Sequence, residues 1–155
     1  MPYFVVHEHH SKKLHYDFRL EMDGVLKSWA VPKGPSMSPK DKRLAIMVDD
    51  HPLEYGNFEG IIPEGHYGAG PVVIWDSGEY ELLTGSLAEG KIEFFLHGSK
   101  LKGAFVLMRL RGKDKEFLLI KKKDKYALSQ YSIEKALTEE KLRQLKEKIP
   151  PCETD

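Results

Sequence analysis

Cysteine is almost missing from this chain. The single one, Cys152, follows Pro150 and Pro151 in the tail, so neither a disulfide framework nor a cysteine-based zinc site can form within one chain. Long apolar runs are missing as well. No stretch approaches the roughly eighteen residues of a membrane span, and no secretory leader pattern is present, so we expect a cytoplasmic protein in a reducing compartment with no membrane partner. There is no GxGxxG and no P-loop with its lysine, which removes the common nucleotide-binding loops. Internal repeats and low-complexity tracts are absent. Net charge is lacking too, since 24 Lys and Arg balance 24 Asp and Glu. That balance argues against a protein that coats nucleic acid unspecifically.

What is present is an ordinary globular composition, 41% hydrophobic and 31% charged over 155 residues, enough for one domain with a real core. The charge is segregated along the chain. Residues 44–90 hold nine acids and no Lys or Arg, whereas residues 91–125 hold eleven Lys or Arg against four acids. Either a folded basic face steers a phosphate backbone, or strands of the two signs meet across a sheet and neutralise each other.

Short strands dominate the pattern. Phe4 to Val6 is a first apolar run, and Leu14 to Leu20 alternates strictly, with Leu14, Tyr16, Phe18 and Leu20 apolar and His15, Asp17 and Arg19 ionisable. Asp23-Gly24 signals a hairpin into Val25–Val31. Further strands are expected at Arg43–Val48, Val72–Trp75, Glu79–Leu83, Lys91–Leu96, Lys102–Leu110 and Glu116–Lys122, with Asp76-Ser77-Gly78, His97-Gly98-Ser99 and Arg111–Asp114 as turns. Strands at this spacing imply a sandwich or a barrel, of which we favour the barrel. Only the end reads as helical. Ser132 and Thr138 are candidate N-caps for one short helix containing Ile133, Ala136 and Leu137 and a second containing Leu142, Leu145 and Ile149, both expected over an open end of the barrel. The expected fold is mainly β, a compact closed or nearly closed barrel with short, mostly C-terminal flanking helices. The expected domain is single, residues 1–155, with the barrel over about 3–125 and the helical segment over about 130–149.

The chemistry concentrates near the start. Alternate residues of a strand share a face, so His15, Asp17 and Arg19 project together, and His9 joins them if the chain bends near Ser11. Two imidazoles and a carboxylate make an open site for a divalent transition metal, and a guanidinium beside it suits phosphate. The competing reading is a solvated sheet face laced with ion pairs. His7 and His10 are then left over, on the surface or behind the ligands.

His51 stands before Pro52, which restricts its backbone. Asp49, Asp50 and Glu54 surround it, and a carboxylate contact would favour its protonated form; it is otherwise a surface histidine in an acidic loop. Lys33, beside Gly34, can reach a phosphate or simply be solvated. Phe58 to Gly70, FEGIIPEGHYGAG, reads as a tight loop at the rim of the site.

Together these give H-x5-H-x-D-x-R within the first twenty residues and D-H-P-L-E-Y some thirty residues on. With FVV, LHYDFRLEMDGVLKSWAVPKGPS, KRLA, FEGIIPEG, YGAG, VVIWD, LKGAFVLMRLRG and LLIK, the chain resembles, over about residues 4–127, the 3′-phosphoesterase domain that accompanies bacterial ATP-dependent DNA ligase D in non-homologous end joining, and its stand-alone archaeal relatives. The resemblance implies a β-barrel with manganese, or another divalent transition metal, held by His9, His15 and Asp17. It implies that Arg19 and His51 contact the scissile phosphate, that Tyr55 belongs to the active site, and that Lys33 and Arg43 are further phosphate contacts. The implied substrate is a DNA or DNA–RNA primer–template 3′ end. A phosphodiesterase step would remove a terminal ribonucleoside and a phosphomonoesterase step the 3′-phosphate left behind. A separate ligase, polymerase or end-binding protein is the implied partner.

Three departures bear on this. The family has an N-terminal arm that assists monoester removal, whereas this sequence starts a few residues before its first strand; Asp49 stands where the family usually has Glu, and His66 where it has Gln. The diesterase step is therefore the firmer expectation. Two rivals remain: a non-haem iron oxygenase using His15, Asp17 and His51, and a non-catalytic nucleic-acid-binding barrel using Lys91 to Lys125 with Phe94, Phe95 and Phe105 as stacking platforms.

Overall fold

The computed structural model describes residues 1–151; Cys152 lies outside the described residues. Among the described residues nine strands form in chain order: β1 (Tyr3–His10), β2 (Leu14–Met22), β3 (Val25–Val31), β4 (Arg43–His51), β5 (Gly60–Ile62), β6 (Gly70–Ser86), β7 (Lys91–His97), β8 (Lys102–Arg109) and β9 (Glu116–Lys121). A 3-10 turn, Leu53–Asn57, follows β4, and one helix, α1 (Glu139–Gln144), lies near the end. The strands run β1-β2-β3-β4-β9-β8-β7-β6, and β6 pairs back onto β1. Every strand-to-strand pairing among the described residues is antiparallel, and eight strands close a barrel with β5 appended to β6. Closure removes the free edges that an open sheet would present.

The barrel follows from the alternation. Phe4, Val6, Phe18, Leu20, Trp29, Phe94, Phe105 and Phe117 are buried in one core, each worth about 1.5–3 kcal/mol when fully withdrawn from water. The rings pack on one another, Phe18 on Phe94 at 5.8 Å and Trp29 edge-on to Phe117 at 5.7 Å. The β2–β3 hairpin turns on Asp23 and Gly24, both with positive φ, 51° and 79°, the backbone that a two-residue turn requires. A second, smaller core of Leu26, Tyr55, Phe58, Ile62 and Val72 lies outside the barrel. It packs the 3-10 turn and β5 against the outer face of the wall, and so roofs the polar face of β2.

Four expectations are corrected. Asp76-Ser77-Gly78 is not a turn but the middle of one continuous strand, β6, which pairs with β1 over residues 72–79 and with β7 over residues 79–86. The carboxylate of Asp76 instead accepts the backbone N–H groups of Ser99, Lys100 and Leu101 and so builds the β7–β8 turn. Residues 132–137 form no helix, because the N–H groups of Ala136 and Leu137 donate to the buried Glu8 carboxylate rather than to carbonyls of their own segment. Ile133 and Ala136 still pack against the barrel core. The second helix is α1, capped by the Thr138 hydroxyl, but it buries no residue and ends before Ile149. Finally, β4 runs on to His51, whose Cα pairs with that of Leu26. The acidic and basic stretches do meet where β6 pairs with β7, as where His97 Nε2 lies 2.8 Å from Glu81 Oε2. Among the described residues no helix is long and apolar enough to cross a membrane.

Candidate metal centre

The β1–β2 hairpin sets the site by register. His9 pairs directly with His15, and His7 with Asp17, while Arg19 on β2 faces Ser28 on β3. The chain does bend at residues 11–13, and strand alternation places all these side chains opposite the main core. Asp17 and Arg19 are nonetheless buried, 6% and 2% exposed, under the outer roof.

His9, His15 and Asp17 each bring one ligand atom within 4.8 Å of the others. The distal nitrogens are already committed. His9 Nε2 is 2.6 Å from the carbonyl oxygen of Gly68, and His15 Nδ1 is 3.1 Å from that of Lys13. A carbonyl only accepts, so both contacts place the proton on the distal nitrogen and turn the other lone pair inward. His9 Nδ1 and His15 Nε2 then face the Asp17 carboxylate at 3.4 and 3.3 Å. Convergent acceptors around a carboxylate fit a divalent transition metal, and imidazoles anchored through their second nitrogen are the usual support. The solvated-face alternative fails on burial.

Titration follows the same geometry. Burial opposes the Asp17 charge, but Arg19 and the contacts from His15 and His9 outweigh it and hold the carboxyl well below its ordinary range. Burial likewise opposes protonation of His15, yet the Asp17 contact wins and raises it.

Behind the ligands stands Arg19. Its Nε donates to His7 Nδ1 at 3.0 Å, Nη1 to Ser28 Oγ at 2.9 Å, and Nη2 to Asp17 at 3.3 Å. Three of its five N–H groups are thus used, the second Nη1 N–H faces His51 at 3.2 Å, and one on Nη2 remains. Tyr55 covers one face of the guanidinium, 4.8 Å from ring centroid to Cζ, and stacks on Phe58. His51 closes the row, 4.8 Å from the Tyr55 ring. Its Nδ1 is 2.9 Å from the Asp49 carbonyl and 3.2 Å from Arg19 Nη1. The shorter contact, to an atom that only accepts, fixes the proton on Nδ1 and leaves Nε2 as the free acceptor.

A sequence model of the DNA ligase D 3′-phosphoesterase domain matches residues 7–109, the stretch that carries every one of these side chains. The chain belongs to that family. It is 53% identical over 131 residues to the multifunctional non-homologous end joining protein LigD of Pseudomonas aeruginosa, covering 81% of this chain and 16% of that one. The corresponding LigD proteins of Mycobacterium tuberculosis and Mycolicibacterium smegmatis are 51% and 48% identical over 111 and 120 residues, covering 70% and 72% of this chain and 15% and 16% of theirs. The chain thus spans about a sixth of the length of the curated relatives it matches.

Within this 3′-phosphoesterase fold, His9, His15, Asp17, Arg19, His51 and Tyr55 come together as one cluster. Lys33 and Arg43 do not join it. Lys33 is exposed on the loop after β3, and Arg43 donates to the Gly34 carbonyl and lies 3.8 Å from Asp41, on the face shared with the buried Ala45. The acids expected to charge His51 do not dominate it. Asp50 pairs with Lys27, and burial together with Arg19 pushes the imidazole down to about 4. His7 and Ser28 were not singled out as working parts of the site. His7 is fully buried, and burial and Arg19 hold it neutral, which lets Nδ1 accept from Arg19 while Nε2 donates to Phe58 at 3.1 Å. Its signal was present, since His7 is two residues before His9 on one strand. His10 faces the other way and bonds the buried Glu8.

Proposed function

We propose that this chain, taken as one domain over residues 1–155, is a metal-dependent DNA 3′-end phosphoesterase that removes a terminal ribonucleoside and then the 3′-phosphate in end-joining repair. One observation carries the reading: three convergent ligand atoms, within the stretch that matches the family, stand beside a buried guanidinium and a neutral imidazole whose Nε2 has no hydrogen bond among the described residues. Family membership supports an enzyme of this class, and the names of the LigD relatives support an end-joining role.

Phosphate-ester hydrolysis is among the slowest uncatalysed reactions, so the site must gather positive charge around the phosphoryl oxygens. A bound divalent ion, manganese by resemblance, supplies Lewis acidity worth several kcal/mol. His9, His15 and Asp17 would hold it. Arg19 offers its charge and its remaining Nη2 N–H to the phosphate and is kept in place by His7, Ser28 and Asp17. His51 enters neutral and accepts at Nε2; the negative phosphate draws it toward the protonated form, in which it donates to a phosphoryl or leaving oxygen, a role worth roughly 10²–10⁴-fold. Tyr55 holds the rings of His51 and the plane of Arg19 in register. Lys33, exposed on the loop after β3, serves the flanking backbone.

The rivals are weakened by particular residues. The oxygenase reading needs His51 as a ligand, but His9 takes that place and Arg19 separates His51 from the ligand group. The binding-barrel reading needs exposed phenylalanines, but Phe94 and Phe105 are fully buried and stacked on each other.

The test is a primer–template with one 3′-terminal ribonucleotide, incubated with manganese or with EDTA and resolved by length and end group. A shortened strand that appears only with metal is expected, and its 3′ end reports whether the second step follows. A folded, metal-binding protein that cleaves with no divalent ion would sink the proposal.

A further inference from the structure

Tyr67 is 90% exposed, the largest exposure among the large apolar side chains described. A tyrosine left in water forgoes the burial that stabilises its neighbours, and among the described residues its ring contacts no other ring and its hydroxyl makes no hydrogen bond. Yet it is carried by the same loop that orients a metal ligand. The next residue, Gly68, accepts the His9 N–H, and a Cβ added there would lie 2.9 Å from His9 Cε1. The loop is crossed by hydrogen bonds from His66 N to Pro63 O and from Ala69 N to His66 O. Beyond His15, at the other end of the ligand pair, the β1–β2 turn exposes Lys12 and Lys13, neither in an ion pair among the described residues.

We propose that Tyr67 is the stacking platform for the nucleobase at the 3′ end of the substrate, with Lys12 and Lys13 receiving the phosphates of the same strand. The inference rests on the phosphoesterase reading and adds to it what grips the departing nucleoside. When the last phosphodiester lies at the metal group, the terminal base must rest against the rim. An enzyme that trims ends has to accept any base there, and a π-face does so where a hydrogen-bond reader would not; stacking is sequence-tolerant. The lysines add a sequence-independent, salt-sensitive attraction.

The experiment has two arms. A primer–template with 2-aminopurine at its 3′ terminus is titrated with the full chain in EDTA: fluorescence quenching is expected with wild type, retained by Tyr67→Phe and Tyr67→Trp, and lost in Tyr67→Ala. In the second arm, cleavage is compared on ends carrying a base or an abasic ribose. Wild type should prefer the base-bearing end by on the order of tenfold to a hundredfold in kcat/KM, expressed mainly in KM, whereas Tyr67→Ala should treat both ends alike. Quenching that needs Tyr67 in a protein that never cleaves would sink the catalytic reading and leave the platform standing. Wild-type cleavage with an unchanged base preference in Tyr67→Ala overturns the platform and leaves the catalysis intact.

Discussion

The two faces of strand β2 obey different rules. Tyr16, Phe18 and Leu20 point into the barrel, where what matters is apolar volume. Such positions accept many hydrophobic side chains at modest cost. Asp17 and Arg19 point the other way and are buried as deeply, but there each polar atom needs a stated partner. Burial on the first face is a consequence of water's preference; on the second it is enforced by the roof of Tyr55, Phe58 and Ile62, and it sharpens every charge beneath. Neighbouring residues of one strand should therefore fail in different ways when altered.

The sharpest contrast sets His15 against Phe18. On the proposed function, His15→Ala removes a candidate ligand from a half-exposed position and should lower metal-dependent cleavage by at least about 10³-fold, the scale of a Lewis acid worth several kcal/mol, with little change in the thermal unfolding midpoint. Phe18→Ala should cost about 3–5 kcal/mol of stability and leave the turnover of the molecules that still fold nearly unchanged. Turnover with divalent metal and denaturant unfolding, measured on both, decide it. If both variants lost the folded state, the assignment of His15 as a ligand would fall.

Arg19→Lys should come next. Lysine keeps the charge but cannot bond His7, Ser28 and Asp17 in one plane, so a loss of about 10²-fold in kcat is expected. Near-wild-type turnover would mean that neither the fork nor its scaffold serves the phosphate.

The barrel was legible in the sequence because alternation is a local signal, and it produced β2, β3, β7, β8 and β9 nearly as they stand. The grouping of His9 with His15 and Asp17 was legible for the same reason, since a period of two and one bend near Ser11 suffice to bring them together. The failures have a common physical cause. Asp76 and Gly78 look like turn residues, but Asp76 serves a turn more than twenty residues away. Ile133, Ala136 and Leu137 carry a helical spacing, but Glu8, on the first strand, captures their backbone. The state of His51 was misjudged because its acidic neighbours are near in sequence, whereas Arg19, which acts on it more strongly than they do, comes from another strand. Local patterns specify elements; partners distant in sequence decide what those elements do.

That distant partner can be titrated. An unfolded imidazole titrates near 6.5, and His51 in the fold near 4, through burial first and Arg19 second. Between those values the unfolded chain binds a proton that the native chain refuses, so His51 makes the fold less stable as pH falls through that window. In the metal-free protein its NMR midpoint should lie near 4 and move part of the way back in Arg19→Gln, with burial retained. A midpoint near 6.5 in wild type would remove the neutral acceptor from the mechanism.

The smallest effect is expected one residue from a ligand. His10 is adjacent to His9 but lies on the barrel-core side of β1, where its Nε2 donates to Glu8 at 2.7 Å. Glu8 also accepts from Ala136 and Leu137, so His10→Ala leaves the carboxylate two of its partners and removes one half-exposed bond. A loss of about 0.5–1.5 kcal/mol of stability is expected. Cleavage should stay within about twofold, under half a kcal/mol of barrier, because no atom of His10 bonds any member of the metal group. A hundredfold fall in turnover at unchanged stability would show that the two faces of the hairpin are coupled through β1.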